Sequence, residues 1–412
     1  MARRWGLVGG LALACALAAP VEARDLPLLR SGGGQVGSAG CAWPFLVTSE
    51  TLNLAYPDPS STYWAALIAL GEGDALSLRG SYPSARFMAV TLYDLAGNIL
   101  EQLTDYEIEP EPGSANPFAV ADPPPGSGRS WQIRVVPAQS GAGGPNLMRL
   151  DAGDVGGWLV YRVYLGNPAG DLTGGAPLPT IDRYRDGRLL ESRAPCTTFL
   201  PGTQIANLVA RTMPEPVLVT AAPEMVRIAN DGGLFVNAAN AYLSGFADAA
   251  PERILVVRGK LPTTPNTGAG QSVVGDFDMR YFSITSNLNQ KPYPVVAGLY
   301  DAELPLDEQG FYTVVIAQDG EGPTNAVAAN GVAVLSWGGG PSETVIVRNM
   351  LPASDFAPTV QDVTPSVYGQ PSDAAAVMGE FYPAIVECTR AEFEATGAPG
   401  CFAAAGVAYP GT

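Results

Sequence analysis

The chain has 412 residues, of which 47% are hydrophobic and 15% are charged, and it carries a formal net charge of -17 with no histidine. This length can bury more than one core, since domains usually contain about 100 to 200 residues. Without histidine, Ser-His-Asp and Cys-His hydrolases and HExxH zinc proteases are excluded. The acidic charge argues against nucleic acid and anionic lipid as partners.

Residues 1–23 have the features of a secretory signal peptide. Arg3 and Arg4 precede an apolar run, and cleavage after Ala23 satisfies the small-residue rule. Cys15 leaves lipid anchoring as an alternative. No later stretch reaches about 18 uninterrupted apolar residues, so no membrane span is expected. We therefore expect the mature protein in the periplasm or outside the cell.

Two further segments of the chain repeat the same features in the same order, which indicates an internal duplication. The copies open with LSLRGSYP at residues 76–83 and LVVRGKLP at 255–262. They end with arginine strands, LVYRVYLGNP at 159–168 and VIVRNMLP at 345–352. Most of the repeated blocks are β-branched or aromatic and are bounded by turn residues, which is typical of short β-strands.

Strands about ten residues apart, without helices between them, favour a sandwich or jelly roll. The predicted fold is therefore mostly β, with two tandem duplicated β-sandwich or jelly-roll domains at residues 24–170 and 251–355. Residues 171–250 are predicted to connect them, and residues 356–412 to form a disulfide-clipped tail. Short helices are expected at residues 205–212, 373–378 and 389–395.

With these motifs the chain resembles uncharacterised exported bacterial proteins that are built from paired jelly-roll domains of unknown function. The resemblance covers residues 74–355 and rests on an arginine-aromatic strand, on Tyr-Asp turns at 93–94 and 300–301, and on a late arginine strand before Leu-Pro. It implies the fold and export, and it supplies no catalytic residues.

The cysteines after the signal peptide are Cys41, Cys196, Cys388 and Cys401. An even number in an exported protein usually means disulfides, and four cysteines allow three connectivities. We favour the pairs Cys41 with Cys196 and Cys388 with Cys401. The second pair brackets a predicted helix with a capping box at Thr389.

The repeated strands carry Arg86, Arg162, Arg280 and Arg348. Strand alternation places each of them on an apolar face, where a buried cation needs a carboxylate or carbonyl partner. Asp94, Asp105 and Asp301 are the candidate partners. These arginines are predicted either to form structural ion pairs at the ends of the sandwiches or to clamp a carboxylate, sulfate or uronic acid ligand. Arg79 and Arg258 alternate the other way and are predicted to face solvent.

A histidine-free hydrolase would need two carboxylates about 5 to 10 Å apart. Glu380, Glu109 and Asp301 are the candidates, and Glu109 lies in an alternating acidic segment at residues 107–111. Alternatively, Glu109 lies in a solvated loop without a catalytic role, and Glu380 is a surface carboxylate beside aromatic residues. Tyr56, in the turn AYPDPSS, is an exposed aromatic candidate for stacking on a sugar.

We expect no cofactor, with a structural calcium ion as the one alternative. The acidic loop pairs that would suit it are Asp276 with Asp278, Asp151 with Asp154, and Asp319 with Glu321. The residues of each pair are alternatively interpreted as turn formers, because Asp hydrogen-bonds its own backbone in turns.

The leading functional hypothesis is an exported binding or structural protein, with a small-molecule or saccharide ligand in the cleft between the domains. The alternative is a hydrolase or lyase that uses carboxylate, Tyr or Arg chemistry. Two carboxylates that converge in a pocket would favour the alternative.

Overall fold

A computed structural model of the chain describes residues 40–151, 156–229 and 234–412. The predicted signal peptide, Cys15 and Asp154 lie outside the described residues.

The first sandwich consists of two five-stranded sheets. Its central sheet contains β1 (Phe45–Val47), β2 (Ser61–Ile68), β4 (Ala85–Tyr93), β5 (Ile99–Thr104) and β8 (Gly157–Gly166), in the order β1-β2-β8-β4-β5. Its outer sheet contains β3 (Asp74–Ser81), β6 (Ser130–Pro137), β7 (Leu147–Leu150), β9 (Thr180–Arg185) and β10 (Arg188–Arg193), in the order β10-β9-β3-β6-β7.

The second sandwich consists of two four-stranded sheets. Its central sheet contains β11 (Asn240–Asp248), β13 (Met279–Leu288), β14 (Val295–Tyr300) and β17 (Ser342–Pro352), in the order β11-β17-β13-β14. Its outer sheet contains β12 (Arg253–Lys260), β15 (Phe311–Ala317), β16 (Val332–Ser336) and β18 (Ala384–Thr389), in the order β16-β15-β12-β18.

The two sandwiches have matching strand orders. In the central sheets, β2-β8-β4-β5 corresponds to β11-β17-β13-β14, and in the outer sheets β9-β3-β6-β7 corresponds to β18-β12-β15-β16. All pairs are antiparallel except the last pair of each outer sheet, β6 with β7 and β15 with β16. The prediction of a mostly β fold with two sandwich domains is confirmed, and the shared order agrees with the inferred duplication.

Both faces of the central sheets are covered. One face of each packs on its own outer sheet, with Trp64 and Trp131 in the first core and Trp337 in the second. The other faces meet between the domains, where β4 and β13 contribute Phe87 and Tyr281 to a buried cluster. Every residue of β4 is buried, which explains its almost unbroken apolar sequence.

The strands extend beyond the predicted domain boundaries. The predicted connecting segment contributes β9 and β10 to the first sandwich and β11 to the second, and the predicted tail contributes β18. Pairing with β3 and β12 satisfies the backbone hydrogen bonds of β9 and β18, so these strands belong to the sheets.

Three α-helices lie at the predicted places: α1 (Thr203–Thr212), α2 (Ala374–Met378) and α3 (Arg390–Ala404). The side chain of Thr389 accepts the Glu392 N–H at the start of α3, which is one of the two hydrogen bonds of the predicted capping box. The last helix is longer than predicted because the chain resumes a helical path after a kink at Gly397.

Both disulfides have the predicted pairing. Cys41 is bonded to Cys196, and Cys388 to Cys401. Such bonds are typical of proteins that fold in an oxidising, non-cytoplasmic compartment. None of the helices in the described ranges is long and apolar enough to cross a membrane.

Candidate functional site

The domains are held together by reciprocal ion pairs between their central sheets. Arg86 of β4 donates to Asp301 at 3.0 Å, and Arg280 of β13 lies 3.3 Å from Asp105. Each arginine also donates to the backbone carbonyl of the other at 3.4 Å. The pairs therefore cross between the domains, which is why neither partner could be assigned within one sandwich.

Both carboxylates are also held by equivalent backbone groups. Asp105 accepts the N–H of Met88, and Asp301 accepts that of Phe282. Burial raises the pKa of Asp105 to about 6, and Arg280 opposes this shift. The third candidate partner, Asp94, instead accepts the Asn98 N–H in its own turn.

A cavity of about 290 Å³ lies between the domains. Its apolar wall is formed by β1, β2 and β8 of the first domain, by β11 and β17 of the second, and by described residues at positions 209–229 and 234–237. The wall includes the large side chains of Phe45, Leu54, Trp158, Val160, Phe235 and Ile346. Such a space between domains, mostly apolar with a few polar groups, is typical of a small-molecule site.

Two arginines from the repeated strands reach this cavity. Arg162 of β8 and Arg348 of β17 are 3% and 2% exposed, and both lie in the cavity wall. The outcome agrees with the prediction that strand alternation buries them. Arg86 and Arg280, the other repeated pair, do not line the cavity.

The two cavity arginines are held in equivalent ways. Arg162 donates to Thr91 at 2.6 Å and to the carbonyl of Phe235 at 2.8 Å. Arg348 donates to Thr285 at 2.8 Å and to the carbonyl of Tyr56 at 2.7 Å. Each guanidinium also lies over a tyrosine ring of the neighbouring strand, Tyr63 at 5.4 Å and Tyr242 at 5.8 Å.

The sequence reasoning missed Asp58, which pairs with the cavity arginine Arg348 and does not itself line the cavity. It is 1% exposed, and its carboxylate lies 3.8 Å from the guanidinium of Arg348. It accepts hydrogen bonds from the hydroxyls of Tyr281 at 2.9 Å and Ser283 at 2.7 Å. Asp58 lies in a turn before β2 and also accepts the Ser60 N–H, as an ordinary turn-forming aspartate does.

Tyr56 lies in a turn, as predicted, with a φ of 54°. Its ring is half-buried, lines the cavity and stacks on Tyr293 with the ring centres 4.8 Å apart. Burial raises the pKa of its hydroxyl above the usual range. The aromatic face that we expected to be exposed is therefore partly occupied by another ring.

The three candidate catalytic carboxylates have separate partners. Glu380 is exposed and lies 3.0 Å from Lys260, and Glu109 is in an exposed loop tied by Asn146. Asp301 is buried against Arg86. None of them lines the cavity. The structure thus brings no two of these candidates together in this space.

The prediction for Arg258 was wrong, although Arg79 faces solvent as expected. Arg258 is 5% exposed, because residues from the carboxyl end cover the outer sheet. Its guanidinium lies over the rings of Phe311 and Tyr409 and pairs with Asp307.

Two members of the acidic loop pairs accept hydrogen bonds from residues 15 and 17 positions away in the sequence. Asp278 accepts the Thr263 N–H, and Asp319 accepts the hydroxyl of Ser336. In the part of the chain that the structure describes, no three His, Cys, Asp or Glu side chains are grouped to hold a metal ion.

Comparison with known proteins finds no matching family model and no matching curated protein. Among solved structures, the chain is similar to an uncharacterized protein from Burkholderia cenocepacia. The TM-score is 0.48 with 11% identity, over 85% of this chain and 82% of that chain. A protein from Vibrio parahaemolyticus gives a TM-score of 0.39 with 10% identity, over 81% of this chain and 90% of that chain.

Proposed function

We propose that this chain is an exported binding protein that holds a small, largely apolar molecule in the cavity between its two domains. The observation that carries this proposal is the cavity itself, with a volume of about 290 Å³ and a mostly apolar wall. The two disulfides and the signal-peptide pattern support a periplasmic or extracellular location.

The volume of the cavity limits the size of the ligand. An engineered protein cavity of about 150 Å³ accommodates benzene, so this space suits a molecule of roughly a dozen non-hydrogen atoms. A saccharide of that size would need a polar partner for almost every hydroxyl, which a mostly apolar wall does not offer. The chemistry therefore favours a short-chain lipid or a bicyclic aromatic compound over the saccharide of the original hypothesis.

Binding is also favoured over the hydrolase alternative. The candidate carboxylates lie outside the cavity, and the cavity arginines are fixed by threonine hydroxyls and backbone carbonyls. The carboxylate in the described part of this wall is Glu215, which is 86% exposed and paired with Lys291. The described wall has no second carboxylate beside it, so it supports positioning and exclusion of water better than hydrolysis by an acid and base pair.

Isothermal titration calorimetry of the purified protein with decanoic acid and with 1-naphthoic acid tests the proposal. We expect one molecule to bind per chain, with a negative heat-capacity change from burial of apolar surface. Glucose and xylobiose serve as saccharide controls and should give no heat of binding.

A cavity-filling variant locates the site. Ala65 of β2 is 7% exposed and lines the cavity, so Ala65→Phe should weaken binding at least tenfold. Val334→Phe places the same ring on β16, where the wild-type side chain is 45% exposed, and should bind as the wild type does. Equal affinity of the two variants, or no binding to the wild type, would overturn the proposal.

A further inference from the structure

We infer that the ligand carries an acid group, a carboxylate or a similar anion, that is bound by Arg162 and Asn237. This inference rests on the proposed function and names the class of molecule that the cavity takes. It comes from a comparison of the two equivalent ends of the cavity, which differ in one charge.

The turns before β2 and β11 are equivalent. In each turn a side-chain oxygen accepts the N–H of the residue two positions later: Asp58 accepts from Ser60, and Asn237 accepts from Ala239. The backbone N–H of Asp58 donates to the Tyr63 hydroxyl, and that of Asn237 to the Tyr242 hydroxyl, both at 3.3 Å.

The residue two positions before each turn residue is equivalent as well. Tyr56 and Phe235 have positive φ angles of 54° and 50°, and their carbonyls accept hydrogen bonds from Arg348 and Arg162 respectively. Asn237 therefore occupies, beside Arg162, the place that Asp58 occupies beside Arg348.

At the Arg348 end the site is complete without a ligand. The carboxylate of Asp58 balances the guanidinium and is itself satisfied by the hydroxyls of Tyr281 and Ser283. Charge and hydrogen-bonding groups are matched, as a buried ion requires.

At the Arg162 end the same positions carry different chemistry. Arg162 pairs with Ala89 across the strands, just as Arg348 pairs with Ser283. Two residues earlier, Phe87 takes the place of Tyr281. The carboxylate and both hydroxyls of the Arg348 end are thus replaced by an amide, a methyl group and a phenyl ring.

The result is a buried positive charge without a carboxylate partner among residues 40–151, 156–229 and 234–412. The four repeated arginines face only three carboxylates in those ranges, Asp58, Asp105 and Asp301. The Nδ2 group of Asn237 is also buried without a hydrogen-bond partner. Both Arg162 and Asn237 line the cavity, so a molecule inside it would contact both residues.

A carboxylate is the group that fits these donors. Charge-assisted hydrogen bonds from arginine to a carboxylate are about twice as strong as neutral ones, and an amide N–H adds a third donor. With its acid group at Arg162, a ligand would place its apolar part against Trp158 and Val160, which line the same cavity.

Matched acids and amides test this inference. Calorimetric titration at pH 7.5 would compare decanoic acid with decanamide, and 1-naphthoic acid with 1-naphthamide, which have the same size and no charge. We expect each acid to bind about 10- to 100-fold more tightly than its amide. Equal affinities would overturn the inference and leave the proposed function standing, whereas no binding of any of the four would overturn both.

Two variants assign the effect to the named residues. Arg162→Met should remove the preference for the acid. Because loss of Arg162 could impair folding, Asn237→Asp gives a second test: it places a carboxylate where the Arg348 end has one. It should abolish the acid preference while the amides bind as before.

Asn330→Asp is the matched control for Asn237→Asp, since it adds the same charge at an exposed position. It should leave both affinities unchanged. If Asn237→Asp also keeps its preference for the acids, Arg162 and Asn237 do not bind the acid group and the inference is wrong.

Discussion

Breaking one of the reciprocal ion pairs should strongly destabilise the fold. The side chains of Arg86 and Asp301 are 1% and 3% exposed, with 3.0 Å between Nη1 and Oδ2. Removing one partner of a buried pair typically costs about 3 to 5 kcal/mol, because the other charge is left buried without its counterion. We expect that loss from Arg86→Met and from Asp301→Asn, measured by equilibrium urea unfolding at pH 7.

The double variant separates the interaction from the loss of each side chain. In Arg86→Met/Asp301→Asn no unpaired charge remains, so its destabilisation should be smaller than the sum of the single losses by about 2 kcal/mol or more. The control is the more exposed pair Arg253 and Glu387, whose side chains are 47% and 28% exposed. Removing either of its members should change stability by no more than about 1 kcal/mol.

Two results would refute this reasoning. Single variants that unfold at the wild-type urea concentration would mean that the pair does not hold the domains together. Strictly additive losses would mean that Arg86 and Asp301 act independently, each through its other contacts, such as the Thr267 hydroxyl and the Phe282 N–H.

Three further predictions concern stability. Burial raises the pKa of Glu343 from 4.5 to about 10, so the folded chain keeps a proton that the unfolded chain releases. The free energy of unfolding should therefore fall by about 1.4 kcal/mol per pH unit between pH 7 and 9. In urea titrations, Glu343→Gln should remove this slope. The chain-entropy relation predicts a loss of about 5 kcal/mol for replacing the disulfide that spans 155 residues and about 3 kcal/mol for the one that spans 13; equal urea midpoints for the two double Cys→Ala variants would contradict it. Asp58→Asn should lower the free energy of unfolding by about 3 kcal/mol, because Arg348 loses its counterion. Asn237→Asp should not lower the melting temperature. If Asn237→Asp destabilised the fold more than Asp58→Asn does, our assignment of the two ends would be reversed.

Periodicity and turn residues were sufficient to predict the two sandwiches, because most central strands are short apolar blocks between Gly, Pro and Asn. They did not predict β10, which is charged and mostly exposed because it lies at a sheet edge. Its membership of the outer sheet depends on pairing with β9, and nothing in its own composition shows that pairing.

Side-chain alternation predicted the burial of Arg86, Arg162 and Arg348 and the near-burial of Arg280, whose side chain is 10% exposed, but it could not supply their partners. Arg86 meets Asp301 across 215 positions of sequence, in another domain. The same limit explains Arg258: alternation indicated solvent, and the carboxyl-terminal residues that cover it lie 152 positions away.

The two turn residues were missed because Asp and Asn are common in turns. A signal was nevertheless present, since residues 56, 58 and 63 have the same spacing as residues 235, 237 and 242. Extending the repeat to include these turns would have aligned Asp58 with Asn237 and exposed the difference in charge between the two halves.

That difference links the stability of the protein to its occupancy. Without a ligand, Arg162 is supported by the Thr91 and Tyr93 hydroxyls, by a backbone carbonyl and by two tyrosine rings, which offset part of the cost of burying its charge. A bound acid would supply the missing counterion, and it stabilises the folded chain by RT ln(1 + [L]/Kd), about 2.7 kcal/mol at one hundred times Kd. An acid ligand should therefore raise the melting temperature of the wild type more than its amide does. In Asn237→Asp, where the counterion is built in, this difference between acid and amide should disappear.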